Sequence, residues 1–386
     1  MPNASRPSLN KAVVLAVFLD LVGFGIVVPQ LPLAAARFTA SGLIIGALVA
    51  TDSLLSFLLA PRWGRLSDRI GRRPVILLGL AGSAVAYTVF GLATSLSVLF
   101  LARILSGSLG ATVNVAQAAM ADSTTPEERA RAMGLIGAAF GLAFTVGPAL
   151  GGLASRWGEG APGLLAGGIC LMNLLLAAVF LRESRIRRVR DWGATVRVPR
   201  AALLVTFAAT LAFTTMYVVF QQFATQALGL TRAGISYAFT LVGLVSVLVQ
   251  GRLVRRLVPR LGELRLVMWG GGIMTVGLAL LPLLAILPTH GAAQIAGLGL
   301  AVALVSAGFS LVGPCVAGFV SRSTPPDEQG QVLGMLQSIG SGARIAGPLV
   351  LGILAEKGGF AAAFGLSALA SAAAGVIAAG WRRRGT

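Results

Sequence analysis

Thirteen carboxylates are spread over 386 residues, and two of them, Asp20 and Asp52, stand well inside long apolar runs. The first run reads FLDLVGFGIVVPQLP from Phe18 to Pro32. A charge inside lipid costs at least ~2.5 kcal/mol even on lenient insertion scales, so each aspartate needs a physical reason to be there. One reason is proton chemistry. At 1.5 Å of rise per residue, Asp20 lies roughly 14 Å from Lys11 and Asp52 roughly 18 Å from Gly64, similar depths on consecutive antiparallel segments. If the two are neighbours, desolvation and mutual repulsion favour the neutral form, so the pair would hold at least one proton near neutral pH. A coupling site needs that property. The other reason is structural: Asp20 bonds local backbone groups, and Asp52 meets a polar neighbour.

Two cations share this environment. Arg103 lies toward the outer end of its segment, closer in depth to Gln30 than to Asp20, which makes a direct Arg103–Asp20 bridge strained. It reads as a substrate or relay contact, or else as a packing hydrogen bond. Gln30, Asn114 and Gln117 are further polar candidates for substrate contact. Arg344 follows Gln337 and Ser338 at roughly 20 Å of helix past Gln331, too deep to reach a loop acid easily, and is given no role. The stretch MYVVFQQF offers Tyr217, Phe220 and Gln221, and Phe309 lies in a later run. Aromatic faces beside amide groups suit a flat, lipophilic ligand, although helix packing alone explains any single aromatic.

These residues must be positioned by helices in lipid. Hydrophobic residues make up 56% of the chain and charged ones 11%, a balance outside the range of soluble domains. Spanning a bilayer takes about 20 apolar residues, and such runs recur twelve times, centred near Ile26, Leu54, Val85, Ser108, Leu142, Leu174, Thr215, Val245, Thr275, Ala307, Ser341 and Ala370. Spans and turns take up the whole sequence. The first run is too long for a cleaved signal sequence, despite the small residues of LAAARF.

The net charge of +18 would suggest nucleic acid in a soluble protein. Here its position decides its meaning. With both termini cytoplasmic, 25 of the 31 Lys and Arg fall on the inner side, four lie in outer loops (Arg37, Arg156, Arg232, Lys357), and Arg103 and Arg344 lie within spans. That asymmetry is the positive-inside rule, with some attraction to anionic lipid, and no nucleic-acid partner is expected. Cys170 and Cys315 sit in apolar runs, and the one histidine, His290, sits in the turn PTHGAA, so neither a disulfide framework nor a metal cluster is expected. Neither lysine follows a phosphate-binding loop, which argues against ATP hydrolysis. No cofactor is implied, and any work must draw on a gradient.

The chain also repeats itself. STTPEERARAMGLIG from Ser123 aligns with STPPDEQGQVLGMLQ from Ser323, pairing Pro126 with Pro326, Glu128 with Glu328 and Gly134 with Gly334. Gly147-Pro148 then meets Gly347-Pro348, and Gly152 meets Gly352. Two halves of six spans follow, residues 1–182 and 201–386, joined by a basic cytoplasmic linker at 183–200.

Between the second and third spans, GRLSDRIGRRPVIL (Gly64 to Leu77) resembles the signature loop of the major facilitator superfamily: glycine, aspartate, second glycine and paired basic residues. Gly64 and Gly71 are expected to let the backbone turn tightly and approach a neighbouring helix. The resemblance implies that Asp68 and Arg72, with Asp122 at the end of span four, form a cytoplasmic latch between the halves. The second-half counterpart, GRLVRRLVPRLG, has Arg255 where Asp68 would fall. RILSGSLGATVNVAQAAMAD resembles the fourth-span motif whose arginine faces the central cavity. GLIGAAFGLAFTVGPALGG resembles the fifth-span antiporter motif, in which Pro148 frees a carbonyl and Gly147, Gly151 and Gly152 permit close contact between the halves; Ala143 replaces one expected glycine.

Together these stretches resemble the twelve-span drug:proton antiporter branch. What the resemblance implies is an all-α membrane protein with twelve transmembrane helices in two pseudo-symmetric six-helix bundles. It would sit as a monomer in a bacterial inner membrane and exchange a small lipophilic compound for protons by alternating access. Tetracycline exporters carry further acids in span three, where Ala86 stands, and in span nine, where no acid occurs between Glu263 and Asp327, which weakens the link to tetracycline itself. Export of sugars or metabolites and proton symport remain open, symport being disfavoured by GPALGG. An intramembrane enzyme would need a catalytic constellation that the spans lack.

Overall fold

Backbone groups in a hydrocarbon medium must find partners within their own segment, and a helix satisfies them all. The computed structural model follows that rule: every regular element among its described residues is a helix. It describes residues 6–39, 41–110, 112–123, 126–183, 198–286, 291–324 and 329–384. His290, most of the expected linker (184–197), and the repeat residues Pro326 and Glu328 lie outside these. The side chain of Glu128 does too.

The chain divides into two units, Met1–Phe38 with Thr51–Asp191, and Thr39–Ala50 with Trp192–Thr386. In the first, α1 (Arg6–Val27) passes through a short 3-10 turn at Val28–Gln30 into α2 (Leu31–Ala35), the prolines of PQLP standing at the two junctions. Then come α3 (Gly42–Ile70), α4 (Arg72–Gly91), α5 (Leu96–Leu109), α6 (Thr112–Ser123), α7 (Pro126–Ala154) and α8 (Ala161–Phe180). The first nine residues of α3 belong to the second unit. Helix α1 packs on α6, α7 and α8, and α4 packs on α5, α6 and α8. Lipid gives helices no hydrophobic reason to associate, so close packing of small residues must do it. A methyl group added at Gly147 would sit 2.8 Å from the Gly25 backbone, and one at Gly163 2.5 Å from Gly91.

In the second unit, α9 (Arg200–Val218), α10 (Phe220–Gln226) and α11 (Arg232–Leu248) are followed by a π-helical turn at Val249–Leu253. Helices α12 (Val254–Leu261), α13 (Glu263–Ile286), α14 (Ala292–Arg322) and α15 (Gln329–Arg384) complete it. Helix α15 packs on α9 and α13, and α14 on α11 and α13, around a core that includes Val205, Leu266, Val316 and Leu336. The start of α3 joins this unit through glycines: a methyl at Gly42 or at Gly46 would collide with the backbone of Gly352 or of Pro348.

Among the described residues, ten helices are long and apolar enough to cross a membrane. The sequence reading counts twelve. Helix α7, centred near Leu142, is not among the ten, and residues 332–383 count once although α15 is two helices meeting at Gly359 (φ 77°, ψ 172°). At positions 200 residues apart in the sequence, Gly147 and Pro148 lie against α1, and Gly347 lies against Thr214 of α9.

Candidate functional site

Helices α3 and α5 are tied by polar links at three successive levels. Ser106 donates to Asp52 Oδ1 at 2.6 Å, Ser56 to the Gly107 carbonyl at 3.2 Å, and the Trp63 indole to the Ser108 carbonyl at 2.8 Å. Gly107 makes the approach possible, because a methyl there would sit 2.6 Å from the Asp52 carbonyl oxygen. One turn earlier on α5, Arg103 Nη2 lies 3.2 Å from Asp52 Oδ2. Both side chains are largely buried, at 4% and 13% exposure. Asp52 thus has a donor on each oxygen, while Arg103 keeps its Nε without a hydrogen-bond partner among the described residues.

Asp20, on α1, is also buried. Ser83 of α4 and Thr112 of α6 border its carboxyl group, and Asp52 is near enough for the two charges to interact. Its Oδ1 has no hydrogen-bond partner among the described residues. Tyr87 and Cys170 line the adjoining space at Gly23, where an added methyl would be 3.0 Å from the Tyr87 ring and 2.8 Å from Cys170 Sγ. The structure therefore brings Asp20 and Asp52 into one neighbourhood, and Arg103 pairs with the second. Of the other polar candidates in this unit, Gln30 is buried, Gln117 half-buried and Asn114 exposed.

A second charged cluster gathers around Arg72. Its Nη1 lies 2.7 Å from Asp68 Oδ1 and its Nε 3.0 Å from Asp122 Oδ2, so the two acids share one guanidinium. Gly71 opens α4 at φ 107°, a conformation that L side chains rarely adopt. The Glu183 carboxylate then accepts from the backbone N–H groups of Arg72 (2.7 Å) and Arg73 (3.3 Å), satisfying two of the donors that a helix start leaves open. Gly64 corrects the sequence reading. It lies inside α3 with nothing within 4 Å of an added methyl among the described residues, so it makes neither a turn nor a close approach.

In the second unit, Phe213 stacks on Phe309 (4.0 Å between centroids, 4° between planes), and Tyr217 meets Phe213 edge-on at 5.5 Å. Tyr217 and Phe309 are half-buried. Phe220, expected on the same wall, is fully buried against Phe239 and serves as core. Gln221 is fully buried, with both amide atoms lacking hydrogen-bond partners among the described residues. Arg344 stands on an exposed face of α15 and donates to Ser341 Oγ at 3.0 Å.

The sequence profile of the Major Facilitator Superfamily matches residues 13–348 and 202–386. The chain belongs to the Major Facilitator Superfamily. Among superfamily relatives, it is 31% identical to the tetracycline resistance protein, class C, of Escherichia coli, over 87% of this chain and 86% of that one. It is 28% identical to multidrug resistance protein 2 of Bacillus subtilis (strain 168), over 88% and 86%. The crystal structure of the human organic anion transporter MFSD10 (TETRAN) superposes with a TM-score of 0.74 at 25% identity, covering 97% of this chain and all of that one. The protein is a multi-pass membrane transporter of this superfamily and not an enzyme.

Within that superfamily frame, three features escaped sequence reasoning. Depth along the helix compares Arg103 with Asp20 and does not reveal Asp52 as its partner; Ser106 and Gly107, one turn on, are the signal that α5 closes on α3. Glu183 was grouped with the linker, yet α4 has no acid in its own first turn, which leaves its N-terminus seeking one. The resemblance to the antiporter motif implies contact between the halves for Gly147, Gly151 and Gly152. Gly147 and Gly151 meet Gly25 and Ile26 of α1 within their own unit, a contact that spacing did not reveal, and Gly152 is buried, its carbonyl accepting from Ser155.

Proposed function

We propose that this transporter exports small lipophilic compounds in exchange for protons, with Asp52 and Asp20 as the proton-coupling pair. The observation that carries the reading is the bridge between Asp52 and Arg103 beside a second buried carboxyl group, Asp20, one oxygen of which has no donor among the described residues. A buried carboxylate without donors is costly, and a proton removes that cost. Protonation of Asp52 would weaken its hold on Arg103 and free a cation to reorient. Substrate and proton then compete through one network, which is the reciprocal coupling that exchange requires. Each proton moving down a 100 mV potential supplies about 2.3 kcal/mol.

The same reading takes the chain as twelve spans in two halves that alternate access, a monomer with both termini on the cytoplasmic face of a bacterial inner membrane. The Asp68–Arg72–Asp122 cluster is its inner gate, and Gly71, Gly147, Pro148, Gly151 and Gly152 shape the moving helices. Similarity to tetracycline and multidrug resistance proteins supports export of drug-like compounds. Purified protein in liposomes with an imposed pH gradient tests it, screened against cationic, neutral and anionic compounds. Gradient-driven counterflow of protons and compound is the expected result; co-directional movement would establish symport instead.

A further inference from the structure

Helix α15 has an inverted surface. Its packed face, Leu336, Gly340, Ala343, Gly347 and Leu351, is apolar and buried. Bordering that face, Gln337, Ser338 and Arg344 are exposed and Ser341 is half-buried, forming one polar strip along the helix, with Arg344 Nη1 3.6 Å from where a methyl at Gly340 would sit. Lipid cannot be what this strip meets. Arg344 lies fifteen residues from both Gln329 and the break at Gly359, roughly 22 Å of helix from either end. An arginine at mid-span faces a bundle interior or a water-filled space, and marks a substrate pathway by default.

Helix α9 runs alongside, with Thr206 and Thr210 at Gly340 and Thr214 at Gly347. Tyr217, at the end of α9, lies within range of the Arg344 charge. Beyond it stand Phe213 and Phe309, face to face, with Phe309 half-buried. The Arg344 guanidinium is steadied on its own helix, since Nη2 donates to Ser341, whose hydroxyl donates to the Gln337 carbonyl at 3.0 Å. A planar cation with a fork of donors, within electrostatic range of a half-buried phenol that itself meets an aromatic stack, is suited to an anionic group on a flat aromatic body.

We propose that Arg344, with Ser341, Gln337 and Tyr217, forms a recognition subsite for the acidic group of planar aromatic anions, and that this subsite sets the transporter's preference by charge. The proposal rests on the exporter reading but concerns binding rather than coupling, so its test needs no proton gradient. Equilibrium binding is measured on the full-length protein in detergent with three probes of similar shape: 2-naphthalenesulfonate, neutral 2-naphthamide and the cation N-methylquinolinium. Wild-type protein is expected to bind the sulfonate at least tenfold more tightly than the cation. Arg344→Gln is expected to lose tenfold or more for the sulfonate alone, and Arg344→Lys to recover part of it. The proposal is overturned by wild-type protein that prefers the cation or the amide, or that binds none of the three. It is equally overturned by an Arg344→Gln variant that keeps the sulfonate or weakens all probes alike. Loss of pH-driven transport with the charge preference intact would instead count against the exchanger reading only.

Discussion

At Asp52 the structure holds a carboxylate whose two oxygens are each committed, one to Ser106 and one to Arg103. Breaking a buried ion pair from one side leaves the other charge stranded, at a cost of about 3–5 kcal/mol. Arg103→Gln is therefore expected to lower the thermal unfolding midpoint clearly. The double variant Arg103→Gln/Asp52→Asn should recover part of the loss, because no charge is then left unpaired. A double variant as unstable as Arg103→Gln, measured in detergent by melting, would mean that the pair is not the energetic unit the geometry describes. The residues themselves were legible in the sequence, since an ionisable group in an apolar run is conspicuous. Their pairing was not, because depth along a helix fixes one coordinate and leaves rotation and reach undetermined, and Arg103 has a long side chain.

Helix ends and helix contacts carry the next level. Gly71 combines a positive φ with a carboxylate packed where a side chain would begin. Gly71→Ala is expected to cost about 1–3 kcal/mol, read as a lowered melting midpoint. Glu183→Gln should destabilise the start of α4 by a smaller amount, as it removes the charge but keeps an acceptor. An unchanged Gly71→Ala protein would show that this turn tolerates a side chain. Along α7 and α15, Gly147→Val and Gly347→Val insert atoms into contacts already at van der Waals limits, with an expected loss of about 1–3 kcal/mol each. Gly365→Ala, at a site with nothing within 4 Å among the described residues, should be silent in the same melting assay. The glycines of the fifth-span motif were visible in the sequence as close-contact residues, but not their partner helix. Spacing reveals that a face is small and says nothing of which helix it meets. Gly64 failed for a related reason: a glycine beside a loop motif reads as a turn, whereas α3 continues through it to Ile70.

For the molecule as a whole, the helical membrane architecture followed from composition alone, because lipid leaves the backbone few other solutions. The number of crossings depends on α7 and on the break at Gly359. In a background carrying Cys170→Ser and Cys315→Ser, single cysteines at Arg69 and Arg383 are expected to react with an impermeant maleimide from one face of the membrane, and one at Trp157 from the other. Labelling of Arg69 and Arg383 from opposite faces would contradict an even number of crossings between them. The central claim is that a proton on Asp52, assisted by Asp20, exchanges with substrate. Its most direct test is proton movement driven by an outward substrate gradient in proteoliposomes, followed with an internal pH dye. Wild-type protein is expected to acidify the lumen as substrate leaves, whereas Asp52→Asn, with the lowered melting midpoint that a stranded Arg103 implies but still folded at the assay temperature, and Asp20→Asn as a second variant, should abolish the signal. Full proton exchange in both variants would contradict the account.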